Sequence, residues 1–143
     1  MKLAIFGSRT LEDKQSKQII RTAILEFLNS YDIEYLLAPG GLRGACSVAE
    51  EIAKETGIPI KLFYYLKDKG HLGAISSIEK RTKKIVEEAD YFLCFHDGIS
   101  KGTLWDIKQI IKQGKQYQYF RIEKQGYSDI AIEDIEEIGE YEL

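Results

Sequence analysis

The chain is 143 residues long, 44% hydrophobic and 30% charged, with a formal net charge of −3. That length holds enough apolar material to bury a core without disulfides or metal, and the balance lies outside the disordered and membrane regimes. Cys46 and Cys94, with His71 and His96, are too few and too scattered for a disulfide framework or a zinc site, and no apolar stretch approaches bilayer-spanning length.

Five apolar runs, at residues 3–6, 33–38, 58–65, 91–95 and 117–122, alternate with helical patterns in the order βαβαβαβαβ. The first helical segment carries Ile20, Ala23, Ile24, Phe27 and Leu28 on one face, and the second carries Val48, Ala49, Ile52 and Ala53. The third has Ile78, Ile85, Val86 and Ala89. The fourth has Leu104, Ile107, Ile110 and Ile111, closed by Gly114 as a C-terminal cap. Strands that are apolar throughout and separated by helices predict a Rossmann-like, doubly wound α/β fold with helices on both faces of a five-stranded parallel sheet. Right-handed crossovers make its simplest strand order 3-2-1-4-5, with a ligand-binding switch point between strands 1 and 4. Residues 66–75 read as a mobile loop.

The N-terminus runs straight into a strand pattern instead of a signal peptide, so the expected address is the cytosol, with no membrane partner. One domain over residues 1–143 is expected, with a core over 1–122 and an acidic extension over 123–143. The extension holds eight acids against one lysine, which leaves the remainder at +4. Its isoleucines, Ile130, Ile132, Ile135 and Ile138, fit neither helix nor strand period. A mildly basic body suits a small phosphorylated ligand and is too slight, on its own, to argue for a nucleic-acid surface.

Three glycine loops fall at the predicted carboxyl edge: Gly7-Ser8-Arg9-Thr10, Pro39-Gly40-Gly41-Leu42-Arg43-Gly44, and Asp97-Gly98-Ile99-Ser100-Lys101-Gly102-Thr103. Glycine lets backbone N–H groups approach a ligand oxygen, and a helix N-terminus adds the positive end of its dipole, so strand, loop and helix together favour phosphate. Arg9 and Arg43 lie inside such loops, where an anion is their natural partner. Ser8, Ser100 and Thr103 read equally as helix N-caps, with Thr103 the best placed to serve a ligand as well. His96, at the end of the fourth strand, is either a ligand contact or an ordinary loop residue. Tyr64, Tyr65, His71 and Trp105 either stack on a base or pack in a core or subunit contact, and a subunit contact is the expectation for Trp105. Cys46 opens the second helix without a paired base, which makes it packing before nucleophile.

Gly7-Ser8-Arg9, Gly40-Gly41-x-Arg43-Gly44, Arg81, Ala89-Asp90 and Asp97-Gly98-x-Ser100-x-Gly102-Thr103 together resemble the SLOG superfamily, which includes DprA and the Lonely Guy phosphoribohydrolases. The likeness is strongest to the small stand-alone YspA- and YpsA-related members and extends to about residue 122. In the Lonely Guy enzymes an arginine before the fourth strand and a Gly-Thr-x-x-Glu motif after it are implicated in cleaving the N-glycosidic bond of a nucleoside monophosphate. Arg81 matches the arginine, and Gly102-Thr103-Leu104-Trp105-Asp106 matches the motif with aspartate for glutamate. Cys46 and Thr82 stand where the small members usually carry Asp and Asn. By this resemblance Arg81 and Asp106 are the candidate catalytic pair. From the residues alone, Asp106 is equally a helix first-turn acid, and Arg81 equally a solvated member of a charged run.

These readings imply, first, a protein that binds a nucleotide or nucleotide-derived small molecule as sensor, carrier or sequestering agent, with no separate cofactor or metal. The second is an N-glycosidic hydrolase or deoxyribosyltransferase-type enzyme acting on nucleoside 5′-monophosphates. The third, which the charge disfavours, is single-stranded DNA binding of the DprA kind. The resemblance also implies a homo-oligomer.

Overall fold

Strand β1 (Lys2–Gly7) lies inside the sheet, and its residues show why the strands are apolar throughout. Leu3 and Ile5 enter one core while Ala4 and Phe6 enter the other, and all are fully buried. A computed structural model describes residues 1–65, 70–123 and 126–129, the last four and residues 70–75 by their backbone. Helices α1 (Lys14–Ser30) and α2 (Ala45–Thr56) cover the first face, where Ile20, Ile24, Val48 and Ile52 meet Leu93 and Phe95. Helices α3 (Gly70–Glu88) and α4 (Lys101–Lys112) cover the second, packing Ile85, Val86, Ile107 and Ile110 against Leu37 and Phe92.

The remaining strands are β2 (Tyr35–Pro39), β3 (Ile60–Phe63), β4 (Tyr91–His96), β5 (Gln116–Glu123) and β6 (Gly126–Asp129), and the sheet order is β3-β2-β1-β4-β5-β6. The first five strands are parallel in the order 3-2-1-4-5 that the alternation predicts. Strand β6 is an addition: it pairs antiparallel with β5, from Glu123 opposite Gly126 to Phe120 opposite Asp129. The sheet therefore continues past the boundary expected at residue 122. Gly126-Tyr127-Ser128-Asp129 is short and has no apolar alternation to announce it. The isoleucines of the acidic extension lie outside the described residues.

Of the expected loop over residues 66–75, residues 66–69 lie outside the described residues and the chain from Gly70 onward is already α3. Helix ends follow local chemistry. Asp13 caps α1 by accepting the Ser16 N–H at 3.0 Å, Gly57 closes α2 at φ 77°, and Gly114 follows the end of α4 at φ 65°.

Gly7 marks the closest approach of a helix to the sheet. A Cβ added there would lie 2.4 Å from the Ala45 Cβ, so α2 seats on β1 only because Gly7 has no side chain. Gly7→Ala is expected to push α2 outward and cost about 1–3 kcal/mol, measured by denaturant unfolding with the urea m-value unchanged.

Candidate functional site

A cavity of about 740 Å³ opens at the carboxyl ends of β1 and β4, where the strand order reverses. Gly7, Ser8, Arg9 and Thr10 form one wall, and Ser100, Lys101, Gly102, Thr103, Trp105 and Asp106 form a second. Ile78, Glu79 and Arg81 of α3 close it, with Leu42 and Tyr65 at its margin.

The two walls are held by a knot of side-chain hydrogen bonds centred on Asp97. Its carboxylate accepts from the Thr10 hydroxyl at 2.5 Å, the Ser100 hydroxyl at 2.6 Å, and the amides of Ser100 and Ile99 at 2.7 and 2.9 Å. Burial alone would raise its pKa, but the donors from Ser100, Thr10 and Ile99 outweigh burial and hold the carboxyl well below the usual range. The Ser8 hydroxyl accepts the Asp97 N–H at 3.2 Å and shares a 3.0 Å hydrogen bond with the Thr103 hydroxyl, joining the loop after β1 to the first turn of α4.

That arrangement leaves the amino end of α4 open. Its first closing bond runs from the Leu104 N–H to the Ser100 carbonyl at 3.5 Å, so the amides of Lys101, Gly102 and Thr103 have no partner within the helix. A Cβ built on Gly102 meets nothing within 4 Å, so a ligand can come up to this backbone.

Deeper in the cavity sit Arg81 and Asp106. Arg81 is only 8% exposed, its guanidinium carbon lies 5.5 Å from the centre of the Tyr65 ring, and its Nε and Nη1 are buried without a hydrogen-bond partner. Burial lowers its pKa, opposed first by the charge of Asp106. The Asp106 carboxyl accepts from the Thr82 hydroxyl at 3.0 Å and makes no ion pair with Arg81 within 4.0 Å among the described residues. Asp106 keeps some solvent contact, yet the protein crowded around its carboxyl raises the pKa to about 7, with Thr82 and Arg81 pulling the other way.

Of the sequence-predicted residues, Gly7, Ser8, Arg9, Arg81, Ser100, Gly102, Thr103 and Asp106 therefore share one cavity. The second glycine loop does not join them in the expected way. Gly40 lies under the Tyr64 ring, Gly41 (φ 73°) and the exposed Arg43 are off the cavity wall, and only Leu42 reaches it. The start of α2 is closed by packing, with Ala45 and Cys46 fully buried, and by an internal anion at its N-cap. The Glu12 carboxylate accepts the Gly44 N–H at 2.7 Å and pairs with Lys17 at 2.8 Å, taking the donor at the amino end of α2. Gly44 is needed there for its φ of 74° and its close contact with the Ser8 carbonyl. Asp97 and Gly98 likewise shape the third loop, and neither lines the cavity.

His96 also departs from its expected place at the mouth. It is 2% exposed, with Nε2 3.0 Å from the Ser100 carbonyl and Nδ1 2.5 Å from the Tyr119 hydroxyl. A carbonyl only accepts, so Nε2 carries the proton and Nδ1 receives that of Tyr119. Burial lowers the His96 pKa and keeps this neutral ring as a brace beneath Ser100. Cys46 is fully buried, with its thiol pushed up to about 12 by burial despite Arg81, which removes it from nucleophilic chemistry.

Sequence reading passed over Thr10, Leu42, Ile78, Glu79 and Lys101 as wall residues, and assigned Trp105 to a subunit contact although it lines the cavity. Lys101 sat inside the quoted third loop. Trp105 follows Thr103 at i+2 and Asp106 at i−1 near the open end of α4, so helix position was the available signal. Among the described residues no three His, Cys, Asp or Glu side chains converge on a metal-sized site, and no helix is long and apolar enough to cross a membrane.

No family model and no curated protein matches the chain. Among solved structures, the crystal structure of UDP-GlcNAc 2-epimerase from Neisseria meningitidis bound to UDP-GlcNAc is similar, with a TM-score of 0.50 and 17% identity. The likeness covers 85% of this chain and 32% of the epimerase chain, so the chain spans about a third of that neighbour. At this identity what is shared is the Rossmann-like fold.

The Asp106 pKa has a consequence for stability. A carboxyl raised from 3.8 to about 7 on folding supports the fold fully below its unfolded pKa and loses that support as pH rises through 7. Asp106→Asn, which stays neutral and can still accept from Thr82, is expected to match wild type near pH 4. It should gain on wild type up to pH 8, ending about 2 kcal/mol or roughly 5 °C more stable. Thermal melts across that pH range read the difference.

Proposed function

We propose that this chain is a SLOG-type protein that binds a nucleotide or nucleotide-derived small molecule at the carboxyl edge of its sheet, acting as a sensor, carrier or sequestering protein. The observation that carries the reading is the open amino end of α4 facing a cavity that also holds a buried, unpartnered arginine. Unpaired amides and a desolvated guanidinium are both satisfied by anionic oxygen, and phosphate supplies several acceptors at once. The apolar part of the wall, Leu42, Tyr65, Ile78 and Trp105, suits the body of a nucleoside, and the volume lies within the range of about 300–1,000 Å³ typical of small-molecule sites. The structural neighbour crystallised with UDP-GlcNAc supports the coarse class of ligand. A homo-oligomer is part of the same reading, on the resemblance.

AMP at 100 times its Kd should stabilise the wild-type protein by about 2.7 kcal/mol in a thermal-shift series. Gly102→Asp sets a carboxylate in front of the α4 amides, at an exposed position where an added side chain meets nothing. It is expected to leave the unliganded melting temperature equal or higher and to abolish the AMP shift. A full AMP shift in the variant would sink this reading.

A second reading rests on Asp106 and Arg81 facing the same cavity, with a carboxyl that titrates near neutrality. That pair supports N-glycosidic cleavage of a nucleoside 5′-monophosphate, the carboxylate stabilising positive charge at the anomeric carbon and the arginine holding an anionic group. The aspartate is one methylene shorter than the glutamate of the Lonely Guy enzymes, which favours binding over turnover. If the enzymatic reading holds, free base is released from AMP and Asp106→Asn slows release at least about 100-fold. Equal base release by the two proteins removes it.

A further inference from the structure

We propose that the cavity takes a ligand with two anionic groups, a nucleoside diphosphate or bisphosphate, one seated on the α4 amides and the other on Arg81; this deepens the nucleotide reading and rests on it. The two anchors are separate features of the wall. The first is the backbone of Lys101, Gly102 and Thr103, whose N–H groups point out of the helix end, with Arg9 exposed beside them. These donors are enough to surround one phosphate, and none of them comes from α3.

The second anchor lies deeper. Thr82, next to Arg81 in sequence, hydrogen-bonds Asp106 at 3.0 Å, which sets this level of α3 against α4 one turn beyond Thr103. Three residues of helix rise make roughly 4.5 Å, and a phosphate oxygen stands about 3 Å in front of the amides it accepts from. A group bound at the helix end is therefore about 7 Å along the axis from the Asp106 level, and the buried Nε and Nη1 of Arg81 have no hydrogen-bond partner of their own. The guanidinium of Arg81, a residue only 8% exposed, lies over the Tyr65 ring, makes no ion pair among the described residues, and has only the half-titrated Asp106 nearby to offset its charge. A second anionic group supplies what it lacks.

Glu79 and Asp106 are the carboxyls on the same wall. Asp106 is held by Thr82 and keeps its proton up to about pH 7, so near neutrality it opposes the second group only in part. Lys101 and Arg9 share the wall with the α4 amides, and Arg81 is the cation that α3 contributes to it.

The test is titration calorimetry on the full chain at pH 7 with AMP, ADP, phosphate and pyrophosphate, for wild type, Arg81→Gln and Arg81→Lys. ADP is expected to bind about 10–100-fold more tightly than AMP, and pyrophosphate to exceed phosphate by a similar factor. Arg81→Gln should weaken ADP more than AMP, so that the ADP-to-AMP ratio of wild type collapses toward one. Arg81→Lys, which keeps the charge without the planar fork, should fall between. Circular dichroism and a thermal melt certify that Arg81→Gln is folded; if it is not, the Arg81→Lys comparison and the wild-type ADP-to-AMP ratio decide. Equal binding of AMP and ADP by wild type, or equal weakening of both in either variant, overturns the two-anchor proposal and leaves the nucleotide reading standing. Failure of every probe to bind wild type overturns both.

Discussion

Asp97 is the constraint on which the site depends. The doubly wound sheet parts its loops at the switch point, and a gap between β1 and β4 would splay without something to tie its lips. One carboxylate does so, taking donors from the loop after β1 and from the two residues that lead into α4. Because it is ionised across the physiological range, the tie is charge-assisted and does not loosen near neutral pH. His96 supports the same place from below by holding the Ser100 carbonyl, so Ser100 is fixed through its amide, hydroxyl and carbonyl together.

Burial of the first helical turn then decides which helix end is free. Both α2 and α4 begin after glycine loops on the same edge, and both present amides toward the cleft side. Glu12 fills the position at α2, bonding the Gly44 N–H and balanced by Lys17. Asp97 takes the corresponding amide of Ser100 ahead of α4, so the two ends differ in access: Ala45 and Cys46 at the start of α2 are fully buried, whereas Gly102 is exposed and an added Cβ there meets nothing within 4 Å. A glycine loop is therefore an anion site only where the first turn of the helix behind it is left accessible. Arg43, pointed to solvent beside an already satisfied helix end, illustrates the difference from Arg81, which is buried with donors to spare.

The fold was legible because its signal is redundant. Each of the five parallel strands is covered on one face or both by helices whose apolar residues recur at helical spacing, and Leu3, Ala4, Ile5 and Phe6 can all be buried only in a sheet covered on both sides. Strand β6 escaped because four residues with a glycine and two polar groups carry no period, and because its existence depends on β5 offering an edge. The site was legible in its location and less so in its members. Gly7, Gly40, Gly44 and Gly98 look like ligand-facing glycines in sequence, yet only Gly7 lines the cavity; Gly7 and Gly44 are required by Ala45 and the Ser8 carbonyl, Gly98 by its φ of 92°, and Gly40 lies under the Tyr64 ring. Tertiary contact and ligand approach make the same demand on a backbone, so only coordinates separate them. Burial of a charged group is invisible for the same reason, and Arg81 sits in a run of charged residues of which Lys80, Lys83 and Lys84 are exposed.

Thr82 and Asp106 show how the deep end of the cavity is balanced. Thr82 donates one hydrogen bond to the carboxyl, while the surrounding protein disfavours its charge more strongly than Thr82 and Arg81 together favour it. The result is a cation that cannot shed its charge next to an acid that can. Near neutral pH this end of the cavity therefore alternates between a net positive state and a neutral one with a single proton. An anion resting on Arg81 adds negative charge beside Asp106 and raises the carboxyl's pKa further, and a protonated Asp106 in turn removes the repulsion that the anion meets. Anion occupancy and protonation of Asp106 thus reinforce each other by linkage.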